Sequence, residues 1–193
     1  MHFNEFKISD SLQKAITQLG YTTPTAIQEA AIPAILTGKD LIACAQTGTG
    51  KTAAFLIPMI DQLLRTKRVK MVTYGLVLVP TRELALQVAE TLKSLTSQCQ
   101  ITSAVLYGGV SIGGQIRSMS KGAQIIVATP GRLLDLIQQK VVSLKSIQHL
   151  VLDEADLMLD LGFSKDIKRL ISYMPKEKQS LFFSATMPKA IQQ

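Results

Sequence analysis

Leu41-Ile42-Ala43-Cys44, followed at once by Ala45-Gln46-Thr47-Gly48-Thr49-Gly50-Lys51-Thr52, is the stretch on which the fold turns. A four-residue apolar run bounded by turn residues reads as a strand. The segment after it carries two glycines and then opens a helical pattern over 52–65. Glycines let successive backbone N–H groups turn inward around an anion, and a helix N-terminus behind them adds a favourable field. Lys51 has the reach for a β- or γ-phosphate, and the Thr52 hydroxyl suits Mg²⁺. Gln46, Thr47, Gly48, Thr49 and Gly50 are then expected to wrap the phosphates of a nucleotide. Where the general loop pattern begins with glycine, this chain has Ala45.

Further apolar runs at 76–79, 103–106, 125–128, 150–152 and 181–183 alternate with helical stretches at 81–95, 130–139 and 164–173. Two more helical stretches, 9–19 and 26–37, precede the first strand. Continuously apolar runs read as strands buried on both faces. Strand–helix alternation at this spacing predicts an α/β fold, a parallel sheet with helices on both faces. In such sheets function gathers where strands end and helices begin. The segments at those points are 45–52, Pro80-Thr81-Arg82, Gly108-Gly109, Thr129-Pro130-Gly131-Arg132, Asp153-Glu154-Ala155-Asp156 and Ser184-Ala185-Thr186.

A nucleoside-triphosphate site also needs a carboxylate for Mg²⁺ and a group to orient water. Asp153, directly after Leu150-Val151-Leu152, is the metal-side candidate, acting partly through metal-bound water. Glu154 is the candidate base or water-positioner. The plainer alternative is that both acids only favour a helix N-terminus electrostatically. ATP or GTP hydrolysis is the leading chemistry, with Lys51, Asp153 and Glu154 as its catalytic set.

Composition bounds the rest. With 193 residues, 47% hydrophobic and 18% charged, the chain is not disordered, and its length favours one domain. No stretch approaches the roughly 18 uninterrupted apolar residues of a spanning helix. Met1-His2-Phe3-Asn4-Glu5 lacks a basic-then-apolar leader pattern, and two cysteines are too few for a disulfide scaffold or a cysteine zinc site. These features predict a soluble, cytoplasmic protein with no membrane partner. Lysine plus arginine outnumber aspartate plus glutamate by 21 to 14, a net +7 that favours polyanionic partners without specifying one.

At Asp153-Glu154-Ala155-Asp156, taken with the phosphate loop, the sequence closely resembles the DEAD-box ATP-dependent RNA helicases. The resemblance runs from Phe3 to Ser184-Ala185-Thr186 in the order of that family's first RecA-like domain. It includes Gly20-Tyr21-Thr22-Thr23-Pro24-Thr25-Ala26-Ile27-Gln28 and Pro80-Thr81-Arg82-Glu83-Leu84-Ala85. The family also admits alanine at the position of Ala45. The resemblance implies one domain over 1–193: a helical adenine-recognition segment over about 1–38 and a phosphate-loop core over about 39–193. A second RecA-like domain of the same protein would lie outside this chain.

The resemblance assigns Gln28 to the adenine edge, with Tyr21 against the ring and Phe3 packing upstream. A capping box, Thr25-Ala26-Ile27-Gln28, competes for the same amide, and cap geometry could serve both roles. It assigns Pro80, Thr81, Arg82, Gly108, Gly109, Thr129, Pro130, Gly131 and Arg132 to the backbone of single-stranded RNA. Arg82 and Arg132 sit in first helical turns, where a cation opposes the helix field and a bound phosphate would relieve the conflict. The alternative for each is an exposed, locally paired side chain, Glu83 adjoining Arg82. Thr129 reads as an N-cap with Pro130 first in the helix. Ser184 and Thr186 are given a role coupling nucleotide to duplex separation, with a simple N-cap as the alternative for Thr186.

The resemblance thus implies an RNA-dependent ATPase with ATP and Mg²⁺ as cofactors, weak RNA sequence selectivity and local duplex unwinding. The chain alone is expected to be monomeric, to bind nucleotide and to hydrolyse it poorly, since arginine fingers from a second domain contribute roughly 10³–10⁵ in rate. Two other classes remain: a small-molecule kinase or unrelated phosphate-loop enzyme, with turnover indifferent to polynucleotide, and a non-catalytic RNA-binding module. DNA in place of RNA is a weaker variant of the first reading, because phosphate contacts do not distinguish sugars. His2 and His149 read as surface or packing residues, Cys44 as a small residue of a buried strand, Cys99 as unpaired, and Met158 and Met174 as core. Arg65, Lys67, Arg68 and Lys70 read as a solvated basic turn.

Overall fold

The structure, a computed structural model, describes residues 2–66 and 71–186. Lys67, Arg68 and Lys70 of the basic turn lie outside the described residues. Six strands, β1 (Leu41–Cys44), β2 (Gly75–Leu78), β3 (Ser103–Leu106), β4 (Ile125–Ala128), β5 (His149–Leu152) and β6 (Gln179–Ser184), form one sheet in the order β1-β6-β5-β2-β4-β3. Every neighbouring pair is parallel.

Helices cover both faces, as the apolar runs require. A 3-10 turn at Phe3–Glu5 leads into α1 (Asp10–Gln18) and α2 (Ala26–Leu36); α3 (Lys51–Arg65) follows β1 and α4 (Arg82–Leu95) follows β2. These pack over the face carrying Val77, Val127, Val151, Leu181 and Phe183. The opposite face carries Leu76, Leu78, Ile126, Leu150 and Leu152 and is covered by α6 (Pro130–Gln138), α7 (Ala155–Asp160) and α8 (Ser164–Ser172). Along each strand alternate residues serve alternate cores, so a continuous apolar run feeds two clusters. Met158 and Met174 are buried in the second. Two helices escape the sequence pattern: α7, only six residues long, and α5 (Ile112–Ser120), whose Gly113-Gly114 weakens the helical signal.

Burial on both faces holds for β2, β4 and β5 and fails at the sheet edges. In β1, Ile42 is 47% exposed, and Cys44 is exposed rather than buried. The second cluster reaches Phe182 of β6 only in part and stops short of β1. Position in the sheet, which a four-residue apolar run does not encode, decides that outcome. β3, at the other edge, is likewise half open.

The carboxyl edge is laced by backbone hydrogen bonds one residue past the strands. Ala45 N–H donates to Ser184 O at 2.9 Å, Asp153 N–H to Leu78 O at 3.0 Å, Val79 N–H to Ala128 O at 3.0 Å and Thr129 N–H to Leu106 O at 2.9 Å. Each loop therefore leaves its strand in a fixed direction.

Candidate nucleotide and nucleic-acid site

Strand order divides the carboxyl edge. The loops after β1, β6 and β5 carry the predicted phosphate and metal residues and Ser184-Ala185-Thr186, with Phe3, Tyr21 and Gln28 ahead of β1; those after β2, β4 and β3 carry the predicted RNA residues. At about 4.8 Å per strand the two ends of the edge lie roughly 24 Å apart.

On the nucleotide half, Lys51 opens α3 and reaches across the intervening β6 to Asp153. Lys51 Nζ stands 3.6 Å from Asp153 Oδ1, with the side chains 6% and 2% exposed. Beyond this ion pair the buried Nζ makes no hydrogen bond, so its donors have capacity for a further partner. Burial pushes the Asp153 carboxyl above the usual range; the Lys51 charge opposes this and the neighbouring Glu154 charge adds to it. A carboxyl in that position gains from a cation, which fits a metal beside Thr52 and Asp153. Glu154 sits in the left-handed region at φ 53°, ψ 50°, with its N–H on Asp153 Oδ1 at 3.0 Å. For a residue with a Cβ this costs about 1–2 kcal/mol, and it turns consecutive carboxylates in different directions.

The glycine loop is held from α2. Thr25 Oγ1 donates to Thr49 O at 2.8 Å, and Gln28 Nε2 donates to Gly50 O at 3.1 Å. The Gln28 Oε1 accepts from Thr25 N–H at 2.9 Å, so the bond back to the helix start forms. Gln28 thus caps α2 and braces the loop, leaving one N–H and one lone pair for a third partner. Gly50, at φ +90°, leaves no room for a side chain, since a Cβ there would lie 2.5 Å from Gln28 Nε2. Gln46, Thr47 and Gly48 are exposed. Phe3 is only 2% exposed, its ring centroid 5.8 Å from that of Tyr21. It lies in the core behind Tyr21, and Tyr21 is the aromatic nearer solvent.

The other half differs in how its arginines are used. Thr81 caps α4, its hydroxyl accepting from Leu84 N–H at 3.2 Å. Arg82 is exposed and lies over the Tyr107 ring at 5.2 Å, rather than pairing with Glu83. Arg132 is neither exposed nor free. At 12% exposure it donates from one terminal nitrogen to Val110 O at 3.0 Å and approaches Asp135 at 4.0 Å. Its other terminal nitrogen is buried without a partner. Arg132 therefore fastens the loop carrying Gly108 and Gly109 to the start of α6. Gln115 adds to this with Nε2 on Tyr107 O at 3.0 Å. Thr129 stands at the N-cap position before Pro130, but its side chain makes no capping bond. Gly131 is exposed beside it.

Between nucleotide residues and the end of β6, Asp156 Oδ2 accepts from both the N–H and the hydroxyl of Thr186, each at 2.9 Å. Burial alone would raise the Asp156 carboxyl; the bonds from Thr186 and Leu157, with the nearby Ser184 hydroxyl, hold it below the usual range.

Residues 25–193 match the DEAD/DEAH box helicase family model. The chain belongs to the DEAD/DEAH box helicase family. An ATP-dependent RNA helicase DeaD from Mycobacterium tuberculosis is 47% identical over 98% of this chain and 33% of that protein. A DEAD-box ATP-dependent RNA helicase CshA from Streptococcus pneumoniae is 48% identical over 99% of this chain and 36% of its own length. The chain therefore spans about a third of the curated relatives it matches. The crystal structure of a DEAD box protein from the hyperthermophile Methanococcus jannaschii superposes with a TM-score of 0.90 at 42% identity, covering 100% of this chain and 52% of that one.

In this DEAD/DEAH box chain the fold brings together Lys51, Asp153, Gln28 and the glycine loop, and separately Arg82, Arg132 and Gly108-Gly109. Sequence reasoning gave no role to Tyr107 or Gln115, gave Thr25 only a cap, and named Asp156 only as part of its motif. Thr25 carried a local signal in the capping pattern and Asp156 in its motif, but neither pattern names the partner the fold supplies. Those partners are distant in sequence, from eight residues for Gln115 to thirty for Asp156.

Proposed function

We propose that this chain is the first RecA-like domain of an ATP-dependent RNA helicase, spanning 1–193 with an adenine-recognition segment over about 1–38 and a phosphate-loop core over about 39–193. The observation that carries the reading is the buried Lys51 Nζ behind the glycine loop, ion-paired with Asp153 at 3.6 Å and making no hydrogen bond. In this reading Lys51 meets the β/γ-phosphates and residues 46–50 hold them through backbone N–H groups. Gln28 offers its spare N–H and lone pair to adenine, with Tyr21 against the ring and Phe3 supporting Tyr21. Thr52 and Asp153 would hold Mg²⁺, Asp153 partly through water. When bound, the ion neutralises charge on the phosphate oxygens. Glu154 orients the attacking water and takes its proton.

RNA backbone is proposed to run over Pro80, Thr81, Arg82, Gly108, Gly109, Thr129, Pro130 and Gly131. Arg82 makes the exposed cationic contact, and Arg132 acts on the same strand by holding the loop that carries Gly108 and Gly109. Few of these side chains suit base edges, which supports weak sequence selectivity. Ser184 and Thr186 couple the halves through Asp156. A second RecA-like domain of the longer protein completes the site over ATP and RNA. Monomeric behaviour of the chain and a cytoplasmic location belong to the same proposal.

The test is ATP turnover by the longer protein with single-stranded RNA, matched DNA or no polymer, alongside this chain. RNA-specific stimulation in the longer protein, with nucleotide binding but slow turnover by the chain, is expected. Equal turnover under all three conditions would refute the RNA track, and sustained unwinding by the chain would refute the need for a second domain.

A further inference from the structure

At the amino edge of the sheet, opposite the loops, lies a buried polar cluster that the proposed chemistry does not use. His149 opens β5 and Gln179 opens β6, and the two are paired in register. His149 Nδ1 stands 3.1 Å from Gln179 Oε1. Gln179 Nε2 is 2.9 Å from Ile35 O and 2.7 Å from Lys39 O. Gln62 Nε2, from α3, reaches the same Ile35 O at 2.9 Å. Two carbonyls facing one end of the Gln179 amide fix that end as the NH₂ group, with both hydrogens used. Oε1 must then accept, so His149 carries its proton on Nδ1. Burial, only partly offset by Gln179, lowers the affinity of His149 for a second proton.

Ile35 is the penultimate residue of α2, its carbonyl also accepting from Gly38 N–H at 2.9 Å, and Lys39 lies in the turn that follows the helix, so the amide ties the end of α2 to the chain leaving it. The cluster joins four elements, and each ends in the nucleotide site: α2 in Thr25 and Gln28, α3 in Lys51, β5 in Asp153, β6 in Ser184. Along α2, Ile35 lies about 10 Å from Gln28 by helical rise. A rigid helix pinned at one end transmits its axial position to the other, and Gln28 has a narrow target in Gly50 O at 3.1 Å.

We infer that His149 and Gln179 are positioning residues for nucleotide binding: through the C-terminal end of α2 they hold Gln28 against the glycine loop. His149 orients the Gln179 amide, and Gln179 holds Ile35 and Lys39. The inference rests on the nucleotide reading above and assigns no contact with the nucleotide to either residue.

The test uses a fluorescent N-methylanthraniloyl-ATP probe and the whole chain, at a temperature where circular dichroism shows each variant folded. His149→Leu removes the donor and is expected to weaken binding on the order of fivefold, the worth of one hydrogen bond. His149→Asn places an amide N–H where Nδ1–H stood and is expected to restore most of the affinity. In a Gln28→Ala background the further loss from His149→Leu should shrink to less than about twofold, because sites in one network are non-additive. Gln62→Met, at a half-buried position, supplies the same comparison if His149→Leu does not fold. Failure of the unaltered chain to bind the probe would overturn the nucleotide reading itself. Binding by the unaltered chain together with equal losses in both backgrounds, or no loss at all, would overturn the positioning role alone.

Discussion

Replacing Gly50 with alanine tests whether Gln28 and the glycine loop are built as one unit. The added methyl would sit 2.5 Å from Gln28 Nε2 and 3.1 Å from Thr25 Oγ1, in a backbone held at φ +90°. The left-handed conformation costs alanine about 1 kcal/mol relative to glycine. Displacing Gln28 forfeits its bond to Gly50 O, worth about 1 kcal/mol, and disturbs the cap on Thr25 N–H. The sum, about 2–3 kcal/mol, corresponds to a fall in Tm of roughly 4–12 °C for a domain of this size. Thermal unfolding by circular dichroism reads the first effect and titration with the fluorescent ATP probe the second, expected to weaken at least about tenfold. Gly50→Ala combined with Gln28→Ala separates the causes: removing the amide makes room for the methyl, so the double variant should melt above the sum of the single losses. A Gly50→Ala chain that melts within about 1 °C of the parent and binds the probe normally would refute the reasoning, since neither backbone strain nor the close approach would then be real.

Three further outcomes are expected. Glu154→Gln keeps shape and the left-handed backbone cost, so melting and probe binding should be unchanged, while RNA-stimulated turnover by the longer protein falls at least about 100-fold. Arg132→Ala frees the Val110 carbonyl and should lower stability by about 1–2 kcal/mol while weakening single-stranded RNA binding, read by melting and fluorescence anisotropy. Because the folded pKa of His149 lies below its unfolded value of about 6.5, the unfolded chain takes up the extra proton first. Stability from this group is full above that value and is lost as pH falls below it toward the folded pKa. Denaturant titrations from pH 7 to pH 5 should show this slope, and His149→Asn should flatten it.

Much of this was written locally. The loop at 45–52, the strand ahead of it and the acids after Leu152 each declare themselves within a few residues, because phosphate binding by backbone N–H groups needs glycine at fixed spacing. The capping pattern at Thr25 and Gln28 was equally visible, although only the fold shows that the same amide also holds Gly50. What sequence could not give depends on neighbours. Cys44 lies in an apolar run, but the helices of the second face do not reach β1, so its side chain is exposed. Arg132 sits one turn into a helix like any surface arginine, yet a carbonyl 22 residues earlier draws it inward. The pairing of His149 with Gln179 is a matter of strand register, which no local pattern announces.

The placement of β5 beside β2 has a consequence for how such a protein can change over time. Only there do the two halves of the edge adjoin, at Asp153 N–H on Leu78 O. In the proposed function everything to one side serves a nucleotide common to all cells, and everything to the other meets a polymer that differs from one task to the next. Substitutions in the loops after β4 and β3 can therefore accumulate with little disturbance to the triphosphate pocket. One scaffold can retain a fixed engine while its grip on the load is revised, and the short seam between them is where the least variation can be tolerated.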